Sequence, residues 1–257
     1  MGKLRSLIVV LALCLSPALA SAKSKSTEEQ VEEVKCLVPE SKIAEVSAKL
    51  HLSSKPTLTR EVCFFDSASL DLFHHVPALI LRSRYDSPGT KTETTVKVRG
   101  DNAKGDQVEC EFDKVCGKEH TRSCSLNNKK QDQEEIKTAN GGKDVKKIFS
   151  SEQETFAESV LGNVHWKELR PYGPIQGVQV WKEVKITDGH QVTVERWDLP
   201  ARPGKPARVL FEVSAKGPLA DEAKTAEWLA DFLGPLESGP DQESETKTRK
   251  VLEHFAD

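Results

Sequence analysis

Arg82 and Arg84 alternate along the chain with Leu81 and Ser83, and Lys97 and Arg99 alternate with Val96 and Val98. Glu109, Glu111 and Asp113 alternate in the same way with Cys110 and Phe112. Glu45, Ser47 and Lys49 stand between Ala44, Val46, Ala48 and Leu50, and Glu212, Ser214 and Lys216 between Phe211, Val213 and Ala215. Side chains on a strand point to opposite faces in turn, so each of these stretches has one charged face and one mainly apolar face. Arginine and lysine grip phosphate oxygens, and carboxylates hold the hard cation that bridges them. Both signs on one face therefore suit a phosphate chain with Mg2+ or Mn2+, provided that the faces converge. On an open sheet the same charges are a solvated surface, and this second architecture also fits the pattern.

Other chemistries lack their residues. Gly-x-Ser-x-Gly, His-Glu-x-x-His and the P-loop are all absent. His74 and His75 are adjacent, so on a helix their rings diverge, and His120, His165 and His190 are scattered. Ser47 and Ser214 have no evident histidine partner, which removes the case for a serine nucleophile. Trp197 beside Arg196 is a packing residue in this reading, as are Trp166, Trp181 and Trp228.

Eight alternating stretches can carry these faces: Lys42–Leu50, Arg60–Asp66, Ala78–Asp86, Glu93–Gly100, Val108–Val115, Val178–Thr187, Gln191–Leu199 and Ala207–Lys216. Ser87-Pro88-Gly89 and Asp188-Gly189 supply turns between them. The expected fold is α+β, mainly β: an eight-stranded antiparallel tunnel over residues 42–235 with flanking helices, since eight strands suffice to close around one ligand. Residues 117–147, rich in Lys, Asn, Gln and Gly, read as an exposed loop inserted in it. Ser151-x-x-Glu154 is a capping-box signature for a helix that Gly162 ends. Asp221 to Leu233 carries Trp228, Leu229 and Phe232 at helical spacing. Residues 236–257 read as a charged helical tail, loosely docked through Val251, Leu252 and Phe255.

Residues 1–22 have the plan of a secretory signal peptide: Lys3 and Arg5, an apolar run from Leu7 to Leu15, and small residues to Ala22. That run is far shorter than the roughly 20 apolar residues of a membrane span, and no later segment offers one. The expectation is a periplasmic or secreted protein, with residues 23–41 as a polar tether. Removing Lys3 and Arg5 takes the net charge from -3 to -5. A mildly acidic chain does not suit bulk nucleic-acid binding. Cys36, Cys63, Cys110, Cys116 and Cys124 remain, an odd number, so at least one is free. Cys116 and Cys124 flank a short polar stretch and form the first candidate pair.

The ordered series resembles the CYTH superfamily, the triphosphate tunnel metalloenzymes. Glu45-Val46-Ser47-Ala48-Lys49 is similar to the opening Glu-x-Glu-x-Lys strand of that family. Phe64-Phe65-Asp66, Leu81-Arg82-Ser83-Arg84, Thr95-Val96-Lys97-Val98-Arg99, Glu109-Cys110-Glu111 and Phe211-Glu212-Val213-Ser214 resemble its later strands. The resemblance covers about residues 42–233. It implies a tunnel that binds a triphosphate or polyphosphate with a divalent metal and hydrolyses it by metal-assisted attack of water. Lys49, Arg82, Arg84, Lys97 and Arg99 would then grip phosphates. Glu45, Glu109, Glu111 and Glu212 would hold the metal, and Glu111 and Lys49 would be the catalytic residues. Ser47 and Ser214 stand where the family has a second glutamate, so binding is expected to survive better than catalysis. The alternatives are a non-catalytic phosphate-binding module, or a structural protein with a degenerate tunnel.

Overall fold

The computed structural model describes residues 31–87, 91–100, 108–116, 119–186, 189–218, 221–234 and 246–257. The expected signal peptide, Pro88-Gly89 and Asp188 lie outside them. Nine strands form a closed barrel: β1 (Val31–Val38), β2 (Leu58–Asp66), β3 (Ala78–Ser87), β4 (Thr92–Arg99), β5 (Glu109–Val115), β6 (His120–Asn128), β7 (Arg170–Lys185), β8 (Gln191–Leu199) and β9 (Arg208–Pro218). Their order around the barrel is β1-β5-β6-β4-β3-β2-β7-β8-β9. The barrel is mixed, because β1 runs parallel to β5 while it pairs antiparallel with β9.

Two expectations about the strands are corrected. Lys42–Leu50 is not a strand: Ile43–Lys49 is a helix, α1. Ile43, Val46 and Leu50 recur at helical spacing, and Val46 and Leu50 are buried against the barrel wall. The first strand lies instead in the expected tether, where Val34, Cys36 and Val38 face out of the barrel into an apolar cluster. The expected loop at 117–147 contains β6 and the helix α3 (Gln133–Asn140), which Asp132 caps by accepting from the Glu134 and Glu135 amides. Polar composition hid β6, whose inward face needs no apolar residues.

The helices cover the outside of the barrel. Leu79, Leu81, Val96, Val98 and Cys124 pack under α3 and α4 (Ser151–Leu161), through Ile136, Ala139, Phe156 and Ala157. Val34, Cys36, Val194, Val213 and Ala215 pack under α1 and α5 (Glu222–Leu233), through Val46, Leu229 and Leu233. The tail helix α6 (Lys247–Phe255) behaves differently. Its buried Val251, Leu252 and Phe255 sit with Phe64, Ile80, Tyr172 and Trp197, three of which line the barrel interior. Far from being loosely docked, α6 is seated on inward-facing residues. Lys205 Nζ also donates to the Glu253 and Ala256 carbonyls at its C-terminal end.

The box that caps α4 is one residue earlier than the sequence suggested: Ser150 accepts from the Gln153 amide, and Gln153 Oε1 accepts from the Ser150 amide. Gln153 is fully buried because it also ties the helix to the barrel. It accepts from Thr94 Oγ1 at 2.9 Å and donates to the Thr94 and Leu126 carbonyls at 2.9 Å each. Gln153→Leu should lower stability by about 1–3 kcal/mol for each buried polar group it orphans. Glu154→Gln, which touches only an exposed Lys146 pair, should change it by less than about 1 kcal/mol. Urea denaturation of the two variants checks the contrast.

Candidate functional site

Parity along the strands sends every second side chain inward, and closure makes those side chains converge. They surround a cavity of about 630 Å³. Lys35, Arg60, Arg82, Arg84, Lys97, Arg99 and Lys216 reach it from five strands, and Lys247 reaches it from the start of α6. Glu33, Glu93, Glu109, Glu111, Asp113, Glu195 and Glu212 face the same space.

These groups form three clusters. Asp113, 5 % exposed, accepts from Lys35 at 2.5 Å, Lys97 at 2.7 Å and Ser123 Oγ at 2.5 Å, with Arg99 at 4.0 Å. Lys35 also meets Glu33 at 2.9 Å, and Glu111 holds Lys97 at 3.3 Å and Lys216 at 3.1 Å. Burial alone would raise the Asp113 carboxyl, but Lys35, Lys97 and Arg99 hold it far below the usual carboxylate range. In the second cluster, Glu93 accepts from Arg84 at 2.6 Å and lies 3.8 Å from Arg82. Burial and the neighbouring Arg84 lower the Arg82 guanidinium to about 10. In the third, the Lys247 ammonium bridges Glu195 and Glu212, the latter at 2.7 Å, and lies 4.7 Å from the centre of the Trp197 ring. Burial works against ionisation of Glu195, yet Lys247 and Arg60 bring its carboxyl down to about 2.

Two features could receive a ligand. Glu33, Glu111 and Asp113 each offer an oxygen, all within 4.8 Å of one another. Three hard donors at that spacing fit a divalent cation of the magnesium or manganese kind. Arg82 and Arg99 line the cavity, and the Nε of each is buried with no hydrogen-bond acceptor. A buried donor without a partner is costly, and an anion in the cavity would satisfy it.

Of the residues singled out from the sequence, Arg82, Arg84, Lys97, Arg99, Glu109, Glu111 and Glu212 line the cavity. Glu45 and Lys49 do not. Both are on α1, where Glu45 is exposed and pairs with Lys42, while Lys49 donates to the Phe232 carbonyl and lies over that ring. Lys35 and Glu33 take the inward positions that had been given to them. Ser47, also on α1, does not line the cavity. Glu33, Lys35, Arg60, Glu93, Asp113, Glu195, Lys216 and Lys247 were not assigned from sequence. Asp113 and Lys216 had the right parity and were passed over. The alternation of Val34, Cys36 and Val38 would have exposed β1.

No protein-family model and no curated protein matches the sequence. Solved structures do match. A candidate adenylyl cyclase from Hippeastrum, HpAC1, with a dominant triphosphatase activity, superposes with a TM-score of 0.55 at 15 % identity. The match covers 87 % of this chain and 95 % of that one. A candidate adenylate cyclase from Bacillus halodurans, bh2851, gives 0.56 at 15 % identity, over 86 % of this chain and 97 % of its own. The chain therefore has the CYTH-like triphosphate-tunnel fold, here as a nine-stranded mixed barrel. No helix among the described residues is long and apolar enough to cross a membrane.

Glu195 titrates near 2 in the folded chain against an ordinary value of 4.5, and Glu93, Glu111 and Asp113 are lowered as well. A depressed carboxylate adds stability that is complete above its unfolded pKa and is lost as pH falls through the folded one. The melting temperature should therefore fall steeply once pH drops below about 4.5. Glu195→Gln should flatten that acid limb, as thermal melts across the range would read.

Proposed function

We propose that this is an exported protein whose tunnel binds a triphosphate or short polyphosphate together with Mg2+ or Mn2+, and hydrolyses it. The observation that carries the reading is the convergence of cations from five strands and α6 on one cavity that also holds the Glu33, Glu111 and Asp113 oxygens. The likeness in fold to a protein with triphosphatase activity supports it. Two disulfides support export, since such bonds persist in oxidising compartments.

In this reading Arg82, Arg84 and Arg99 meet phosphate oxygens, and the buried Nε atoms of Arg82 and Arg99 gain their acceptor. Glu33, Glu111 and Asp113 would hold the cation, with Glu109 and Glu212 bordering the same cavity. The cation would supply charge neutralisation on the phosphate chain and a lowered pKa for bound water. Lys35, Lys97 and Lys216, relieved of carboxylate partners when that cation is held, turn to the phosphates. Glu111 remains the residue proposed to orient the attacking water, and Lys35 replaces Lys49 as the lysine beside the reacting phosphate.

A second reading, binding without turnover, is favoured by Ser214, which stands where the resemblance has a glutamate and removes a negative charge. Binding tolerates this loss, because each charged hydrogen bond is worth about 1.5–3 kcal/mol. Positioning of water and metal tolerates it less.

Tripolyphosphate with Mg2+ or Mn2+ should raise the melting temperature and be cleaved to phosphate. Arg82→Ala should weaken binding by about 10- to 150-fold, the equivalent of one charged hydrogen bond. Glu111→Gln should lose phosphate release and reduce the part of the thermal shift that depends on the cation. Stabilisation without phosphate release selects the binding module. If no triphosphate shifts the melt with either cation, both readings fall.

A further inference from the structure

The strand that carries three of the cavity carboxylates is held by covalent bonds where its neighbours are held by apolar packing. No residue of β5 (Glu109–Val115) belongs to any of the three apolar clusters. Its parallel pairing with β1 aligns only four residues, Glu32–Lys35 with Phe112–Val115, whereas β1 and β9 align eight. Parallel pairing is also slightly the weaker kind per residue. Charge pairs on its inner face add little net stability, because desolvation offsets their attraction.

Two disulfides compensate. Cys110, within β5, is bonded to Cys124, directly opposite on β6, and Cys116, just past β5, is bonded to Cys36 on β1. The sequence had suggested Cys116 with Cys124. The register instead puts Cys110 against Cys124, and Cys63 is left free and buried. The acidic strand is thus fastened to both neighbours, and each fastening ends on its own segment. Cys110 is exposed and Cys116 partly so, while Cys124 and Cys36 are fully buried.

We propose that the two disulfides form a redox latch on the tunnel: oxidised, they hold β5 and its carboxylates in the barrel wall, and reduced, they release it. The exchange needs a small dithiol. Its thiolate attacks the exposed Cys110 sulfur, forms a mixed disulfide and expels Cys124 as a thiolate, which takes a proton. The second thiolate of the reagent then displaces Cys110. Two electrons pass to the protein pair, and the dithiol ends as a cyclic disulfide. Cys116 and Cys36 react in the same way. Without β5, the cavity loses Glu109, Glu111 and Asp113, and Lys35, Lys97 and Arg99 lose their shared partner.

The test is amide hydrogen exchange on the full chain, oxidised and after dithiothreitol, with alkylation to count thiols. Exchange across residues 109–115 should accelerate at least tenfold on reduction, while β7, β8 and β9 keep their protection. Four outcomes would overturn the latch: the four cysteines unpaired in the oxidised protein, resistance of both bonds to the reagent, unchanged β5 exchange after reduction, or uniform acceleration in every strand. The last would make the bonds general stabilisers. The paired variant Cys110→Ser with Cys124→Ser isolates one bond, and if it fails to fold, reduction of the folded protein still decides. The consequence for ligand rests on the reading above: tripolyphosphate stabilisation should be present oxidised and lost on reduction. If tripolyphosphate stabilises neither form, that reading falls and the exchange result stands by itself.

Discussion

Asp113 cannot be buried as a carboxylate unless cations accompany it, and its partners come from separate strands. Lys35 is on β1, Lys97 and Arg99 are on β4, and Ser123 is on β6. An isolated buried charge is so unfavourable that the group would neutralise instead. Closure of the barrel and compensation of its interior charge are therefore one event: no pair of adjacent strands supplies the whole set. The same holds at Glu195, whose partners Arg60 and Lys247 arrive from β2 and from α6, at opposite ends of the sequence. Such clusters specify which strands meet more than they stabilise the result.

Stability has to come from the other face. The outward faces of β1, β3, β4, β8 and β9 carry buried apolar residues such as Val34, Leu79, Leu81, Val96, Val98, Val194 and Val213, and α1, α3, α4 and α5 lie over them with their own buried side chains. Each fully buried aliphatic side chain contributes about 1.5–3 kcal/mol. The barrel is thus inverted relative to a simple sandwich, with its apolar layer outside the sheet and its polar layer within. β5 has no share in that outer layer, and α6 reverses the rule by placing apolar residues on the interior. The interior is accordingly divided: Phe64, Ile80 and Trp197 meet α6, and the remaining wall is mainly polar and charged, with Leu37, Val62 and Val115 among its residues.

The sequence was legible wherever one strand carried both faces clearly. Leu79 and Leu81 against Arg82 and Arg84, or Val96 and Val98 against Lys97 and Arg99, set both the strand and the direction of its charges. It misled where two periods were compatible with one stretch. Glu45-Val46-Ser47-Ala48-Lys49 alternates, but Ile43, Val46 and Leu50 also make a helical stripe, and the helix has the covered face. β1 carries adjacent Glu32 and Glu33, which look like a solvated tether when read alone. The cavity role of Lys247 was beyond reach, since a lysine near the end of a charged tail has no local mark of burial. Its burial follows from Val251, Leu252 and Phe255, which fix where the helix begins. The cysteine pairing failed for a related reason. Nearness in sequence favoured Cys116 with Cys124, whereas the β5–β6 register aligns Cys110 with Cys124 and the parallel β1–β5 pairing brings Cys36 near Cys116.

The pairing of every cluster across the cavity also sets the terms on which a ligand can enter. A phosphate chain alone would have to draw lysines away from Glu111 and Asp113, leaving carboxylates buried without partners, and that penalty opposes its binding. A cation alone would have to displace the ammonium groups of Lys35 and Lys97 from the same oxygens, leaving those charges unpaired. Arriving together, each ligand accepts the partner that the other displaces, and no interior charge is stranded. Because coupling between two binding sites is reciprocal, in the proposed reading the affinity for either would rise with occupancy of the other by the same factor. A cavity whose walls were only basic would bind polyanions without that dependence. The mixture of signs, which weakens the case for simple electrostatic attraction, would in the proposed reading make joint recognition the favourable path.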